Sequence, residues 1–162
     1  MEPRQDLNAV EPKTEEFYAE QWIPLPVEKL FLFFADEKNL ETLTPPWMHF
    51  QVLGKSTPAM QEGTLIDYRL RIRGISVRWQ SRIEQWIANE RFVDTQTRGP
   101  YSYWHHTHTF ASKDGGTLAA DRVRYRVPGG FIGRIFILPF VRRDIRIIFN
   151  YRKKKIEELF GK

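Results

Sequence analysis

Ile66-Asp-Tyr-Arg-Leu-Arg-Ile-Arg73, then Gly74, then Ile75-Ser-Val-Arg-Trp-Gln-Ser-Arg-Ile83 is the stretch whose reading decides the fold. Ile66, Tyr68, Leu70 and Ile72 fall on one side of an extended chain and Asp67, Arg69, Arg71 and Arg73 on the other, because successive strand side chains point to opposite faces. After Gly74 the alternation resumes, with Arg78 and Arg82 outward. Two such runs around a glycine turn predict paired antiparallel strands with one face on a core and one in water.

The same reading extends along the chain. Strands are predicted at 14–25 (ended by Pro24 and Pro26), 48–53, 91–97, 103–112 and 117–127. Val27, Leu30, Phe31 and Phe34 stand at helical spacing behind Pro26, and a second short helix over 37–43 is stopped by Thr44-Pro45-Pro46. Pro128-Gly129-Gly130 breaks the last strand. From Phe131 to Phe160 the period is helical, with Val141, Ile145, Ile148, Phe149, Ile156 and Leu159 on one stripe and a kink expected at Pro139. The predicted class is α+β: a curved antiparallel sheet of six to seven strands wrapped around a long C-terminal helix, with two short helices after the first strand. A helix laid on a curved sheet touches it along a line, so a tapering internal space is expected beside it. Residues 1–13 read as a flexible arm and 14–162 as a single ligand-binding domain.

Composition narrows the function classes. The chain has 162 residues, 41% of them hydrophobic, with twelve Phe, six Tyr and five Trp, enough for one core and too many for wholesale disorder. The absence of cysteine removes disulfides, thiolate metal sites and cysteine nucleophiles. The longest apolar run, 135–141, is far short of a membrane span, and 1–10 lack a secretory apolar region, so a cytoplasmic protein is expected. The net charge of +5 is uneven: residues 1–81 carry −3 and residues 82–162 carry +8. Arg69, Arg71, Arg73, Arg78, Arg82, Arg122, Arg124 and Arg126 alternate with core positions and carry no interleaved aromatics, so a solvated convex face is expected rather than a nucleic-acid surface.

Three of the four histidines lie in Tyr103-Trp-His-His-Thr-His-Thr-Phe110. The Asp114-Gly115 pair that follows is a strong type I′ hairpin signal. Centred there, the hairpin sets His108 opposite Asp121, Trp104 opposite Tyr125 and His106 opposite Val123. Trp104, Phe110, Val123 and Tyr125 make that face concave and buried, so its polar groups need partners or a ligand. Asp94 and Gln96 join the cluster only if the turn at 98–101 has an odd loop count. Three readings compete: metal ligation by two histidines at i, i+2 plus Asp121; a hydrogen-bonded pair that fixes the sheet; and polar anchors inside an apolar ligand pocket. The third is taken forward, and no metal or other cofactor is expected. For any reaction, His108 with Asp121 as orienter, and His106 beside them, are the acid/base candidates. No G-x-S-x-G, P-loop or G-x-G-x-x-G motif occurs.

The string Phe92-x-Asp94-x-Gln96-x-x-Gly99-Pro100-Tyr101-x-x-Trp104-x-His106-x-His108-x-Phe110, then Asp121-x-Val123-x-Tyr125-x-x-Pro128-x-Gly130, resembles the SRPBCC superfamily. This is the START and birch-pollen-allergen-like group, and within it the likeness is to the polyketide cyclase/dehydrase and coenzyme-Q-binding-like branch. The likeness runs from about 14 to 160 and includes Leu43-Thr-Pro-Pro46 and Phe149-x-Tyr151-Arg152. It implies a helix-grip fold with a hydrophobic cavity for lipids, quinones, hormones or polyketides, and for a minority of members cyclase or hydrolase activity. It transfers no catalytic residues.

The expectation is therefore a binder or carrier of a small hydrophobic molecule, the alternative an aromatase/cyclase- or hydrolase-like enzyme. The expected wall comprises Ile66, Tyr68, Leu70, Trp79, Trp104, Phe110, Tyr125, Ile145 and Phe149. Phe131 and Phe136 would control entry, and His106, His108 and Asp121 would hold a polar end. The apolar run 130–141, flanked by Arg142 and Arg143, suggests transient contact with a membrane surface.

Overall fold

Alternation of apolar and polar residues builds seven strands into one antiparallel sheet in the order β1-β7-β6-β5-β4-β3-β2. The computed structural model describes residues 13–161. The strands are β1 (Glu15–Ile23), β2 (Gln51–Lys55), β3 (Leu65–Ile72), β4 (Ile75–Ile87), β5 (Arg91–Arg98), β6 (Tyr103–Lys113) and β7 (Gly116–Arg126). Between β1 and β2 lie α1 (Val27–Ala35), α2 (Asn39–Leu43) and a 3-10 turn at Pro46–Met48; after β7 come α3 (Gly130–Phe136) and α4 (Leu138–Phe160). This is the helix-grip α+β architecture. Of the arm expected over 1–13, only Lys13 lies among the described residues.

Two-residue turns set the hairpin registers. Asp114 and Gly115 both adopt positive φ, as a type I′ turn demands, and Lys113 pairs with Gly116. The consequence is the expected set of neighbours: His108 opposite Asp121, His106 opposite Val123, Trp104 opposite Tyr125. Arg73 and Gly74 do the same for β3 and β4.

Three boundaries differ from the sequence reading. The strand expected at 48–53 starts only at Gln51, because the prolines favour a 3-10 turn in which Met48 N–H reaches the Pro45 carbonyl and His49 turns left-handed. β4 runs on to Ile87 through a bulge between Ile83 and Gln85, so Trp86 returns to the face of Ile83 despite the odd spacing. The C-terminal helix is two helices broken at Ile137. Pro139 sits in the first turn of α4, where its missing N–H costs no hydrogen bond, instead of kinking a continuous rod.

α4 lies over β7 and β1. Its Ile145 and Phe149 pack with Val123, Tyr125 and Val127, Phe149 meets Phe17 at 4.7 Å, and Gln21 of β1 donates to the Lys153 carbonyl at 3.1 Å. α1 wedges Phe31 and Phe34 against Phe92 and Phe110 at one end of the sheet, where Ile156 closes the cluster. The β3–β4 side is roofed by Met48, Leu40, Phe50 and Met60 from the short connecting segments and by Ile148 from α4. Among the described residues, no helix is long and apolar enough to cross a membrane.

Candidate functional site

Under that thin roof is a cavity of about 200 Å³. Its floor is the concave face of β3 and β4, with Ile66, Tyr68, Leu70, Trp79, Ser81 and Ile83. Phe92, Trp104, Ile148 and Phe149 continue the wall, while Leu40, Met48, Phe50 and Met60 close it from above. Trp79 packs edge-on to Trp104 at 5.1 Å, and its indole N–H donates to the Ser81 hydroxyl at 3.0 Å. Glu37, at the rim, is paired with Lys55 at 2.8 Å.

One pole of this apolar space is charged. The β5–β6 register pairs Asp94 with His106, so the connecting loop has the odd count that brings Asp94 onto the histidine face. Asp94, His106 and His108 all line the cavity. His108 Nε2 donates to Asp94 Oδ2 at 2.9 Å and its Nδ1 lies 2.9 Å from Asp121 Oδ1; His106 Nε2 lies 2.9 Å from the same Asp121 oxygen. His106 Nδ1 is 3.6 Å from Asp94 Oδ2, beyond hydrogen-bond length. Arg152 Nη2 stands 3.2 Å from Asp121 Oδ1. The imidazole centroids are 3.7 Å apart, and Phe92 stacks on His108 at 4.1 Å. Gln96 stays out of the cluster: its side-chain amide closes the turn by donating to the Tyr101 carbonyl and accepting from the Tyr101 N–H.

Electrostatics sort the four titratable groups. Burial opposes ionisation of Asp121, but the Arg152 cation and hydrogen bonds from both histidines overrule it and hold the carboxyl well below the usual range. Asp94 follows the same logic more weakly: burial raises it, and the His108 hydrogen bond with the neighbouring cations brings it below its ordinary value. Burial also opposes the charge on His108, yet hydrogen bonds to Asp121 and Asp94 raise it. His106 goes down, through burial first and then the neighbouring His108 charge. The two carboxylates thus favour the protonated form of His108, while burial and that neighbour favour the neutral form of His106.

Of the residues expected at the site, Ile66, Tyr68, Leu70, Trp79 and Trp104, with His106, His108 and Phe149, are on the cavity wall. Phe110, Tyr125 and Ile145 are not: they are consumed by the packed clusters around α1 and the start of α4. Asp121 lies behind the histidines and borders a smaller pocket between β1 and α4. Phe131 and Phe136 are on the outer surface, 78% and 68% exposed, because the break at Ile137 sets α3 apart from the sheet, with Gly133 tucked against the Pro128 carbonyl where any Cβ would overlap. They do not border the cavity. The sequence reading named Arg152 in the family likeness but gave it no place at the site, although Ile145, Phe149, Arg152 and Ile156 recur at steps of four, three and four, making it a lone charge on the apolar stripe of α4.

The fold is similar to that of the CV1439 protein of Chromobacterium violaceum, at 16% identity and a TM-score of 0.71, over 91% of this chain and 97% of that one. The ginseng major latex-like protein 151 of Panax ginseng matches at 12% identity and a TM-score of 0.65, over 91% and 97%. The TTHA0849 protein of Thermus thermophilus matches at 20% and 0.62, over 90% and 99%. No curated protein matches the chain significantly in sequence. Residues 23–148, more than half of the chain, match the family described as polyketide cyclase / dehydrase and lipid transport. Helix-grip topology, a hollow beside the long helix and this family match agree, and the chain belongs to the polyketide cyclase/dehydrase and lipid-transport family of the SRPBCC superfamily.

Proposed function

We propose that the protein binds or carries a small hydrophobic molecule in the cavity between β3–β6 and the helices, its polar end against Asp94, His106 and His108. The observation that carries this reading is the contrast within one space: apolar and aromatic walls with a charged cluster at one pole, apart from the Glu37–Lys55 pair at the rim, the usual make-up of a small-molecule site. Size limits the guest. A cavity of roughly 150 Å³ takes up benzene, so 200 Å³ suits one or two rings or a short chain. Lipids, quinones, polyketides and aromatics, the guest classes this reading covers, contribute such fragments. Native mass spectrometry of the purified chain is expected to show a retained guest, and 1-naphthol is expected to quench Trp79 and Trp104 fluorescence with 1:1 stoichiometry. No quenching by naphthols, quinones or short-chain lipids, with no retained guest, overturns the reading.

A catalytic version, in the manner of an aromatase/cyclase or hydrolase, is favoured by one feature. Two imidazoles stand side by side on the wall, one clamped between two carboxylates and the other bonded to one, so a proton donor and an acceptor are adjacent. His108→Gln is then expected to abolish turnover while 1-naphthol still binds; an unfolded variant points instead to a purely structural cluster.

Contact with a membrane surface is supported by α3 and the start of α4. Phe131, Ile132, Ile135, Phe136 and Phe140 are all exposed, and Arg143 and Arg146 are exposed further along α4. Flotation with phosphatidylserine vesicles is expected to fall on Phe136→Asp and on removal of the anionic lipid. Flotation indifferent to both removes the idea.

A further inference from the structure

We propose that Asp94, His106 and His108 form a three-ligand site for a divalent first-row transition metal at the charged pole of the cavity, with Asp121 and Arg152 as its outer shell. The proposal goes beyond the binding reading, and it rests on that reading only in placing the open face of the metal toward the guest.

The geometry converges twice. Toward the cavity, His106 Nδ1 and His108 Nε2 both approach one oxygen of Asp94, at 3.6 and 2.9 Å, and all three donor atoms lie within 4.8 Å of one another. A tetrahedral ion with bonds near 2.0–2.1 Å separates its ligand atoms by about 3.3 Å, and an octahedral one by about 3.0 Å, so these distances bracket what an ion needs. Away from the cavity, His106 Nε2 and His108 Nδ1 both lie 2.9 Å from Asp121 Oδ1. A hydrogen bond from the far ring nitrogen to a carboxylate is what fixes the tautomer and orientation of a metal-binding histidine, and here one carboxylate does it for two rings. Arg152 in turn fixes that carboxylate.

A single hydrogen bond accounts for the His108–Asp94 contact. It does not account for a second imidazole turned toward the same oxygen from beyond bonding range. The two rings lie tilted face to face, 3.7 Å between centroids at 36°, with carboxylates on both sides, under Phe92 and next to Phe149. The sequence reading placed Asp121 in a possible ligand set. The register corrects this, with Asp94 as the donor on the cavity side and Asp121 behind.

Two imidazoles and one carboxylate suit zinc, ferrous iron or cobalt, and leave positions open toward the cavity. Charge selects what fills them. A divalent ion with Asp94, Asp121 and Arg152 leaves one positive charge uncompensated in an apolar space. An anionic oxygen cancels it, so the guest class is an apolar ring or short chain bearing a phenolate, enolate or carboxylate.

The test uses chelated, purified wild-type protein titrated with Co²⁺. One tightly bound Co²⁺ per chain with visible d–d bands, displaced by Zn²⁺, is expected, and X-ray absorption should report two imidazole ligands. Asp121→Asn should weaken affinity about 10–100-fold without changing stoichiometry; Asp94→Asn should abolish binding, and His105→Gln should leave it intact. Absence of stoichiometric Co²⁺ on folded wild type, fewer than two imidazoles in the absorption spectrum, or loss in His105→Gln overturns the proposal even if Asp94→Asn fails to fold. Naphthol quenching measured with chelator present keeps the two readings apart: uptake without metal leaves the cavity standing when the metal site falls.

Discussion

The concave face of the sheet is one surface with two fates. On and just after β7, and on β1, it is filled: Val123, Tyr125 and Val127 meet Leu138, Ile145 and Phe149 of a 23-residue helix, and the crevice between β1 and α4 holds about 60 Å³. On β3, β4 and β5 the same alternation of the same residue types lines a hollow. The difference is in the cover. A long helix lies along one direction and cannot follow a twisting sheet, and the proline-broken segment 24–50 that roofs the other half offers only short pieces. The charged cluster sits on the seam, with Asp94 from the hollow side, Asp121 from the packed side, both histidines on β6 between them, and Arg152 reaching in from α4.

The seam gives the largest expected effect. Arg152→Leu leaves Asp121 buried without its cation, which costs about 3–5 kcal/mol when a partner of a buried pair is removed. Urea denaturation should show it, and adding Asp121→Asn should recover part of the loss. A change of under about 1 kcal/mol would place the cluster in solvent-like surroundings and dissolve the seam.

Next come paired truncations. Ile145→Ala opens a void in the packed half, and a cost of about 2–5 kcal/mol is expected. Leu70→Ala only enlarges an existing space and forfeits fewer contacts, so its cost should lie clearly lower in the same denaturation series. Equal costs would mean that the two halves are packed alike.

Acid should act through the seam in chelated protein. Asp94 and Asp121 have folded pKa values below the ordinary 3.8, so their stabilisation is complete above that value and lost as pH falls through the folded ones. His108, raised above the ordinary 6.5, works the other way: its contribution is full below 6.5 and lost as pH rises through the folded value. His106, lowered, opposes His108 on the acid side of 6.5. The urea midpoint should therefore fall below pH 4, and Asp121→Asn should flatten that limb.

The inward faces of β3, β4, β6 and β7 were legible in the sequence, and which part of that surface is filled and which hollow was not. Asp114-Gly115 is a local signal, and from it follow the β6–β7 register, the shared face of Trp104, His106 and His108, and the place of Asp121. Asp94 hung on the parity of one loop, which no local residue reveals. The bulge near Gln85 moved Trp86 to the cavity wall for the same reason: one extra residue reverses a face, and bulges carry no sequence mark here. Arg152 was visible as a charge on an apolar stripe, but which strand it met depended on how α4 lies on the sheet. Ile145 and Tyr125 were assigned to the cavity because alternation says which side faces inward and not whether the inside is full.

Overpacking makes the smallest change in stability and the sharpest comparison. Phe is larger than Leu by a partial ring, and at Leu70 the added volume projects into open space. Leu70→Phe should therefore cost less than about 1.5 kcal/mol. Val123 is fully buried beneath α4, where the same kind of enlargement has nowhere to go; Val123→Phe should cost about 1–3 kcal/mol or more. Function should reverse the order. Leu70→Phe takes volume from the guest and should abolish naphthol quenching in a protein that melts almost normally, whereas Val123→Phe should bind naphthol as long as it stays folded. If Leu70→Phe is as damaging as Val123→Phe, the β3 side was never hollow in solution, and the guest must be sought elsewhere.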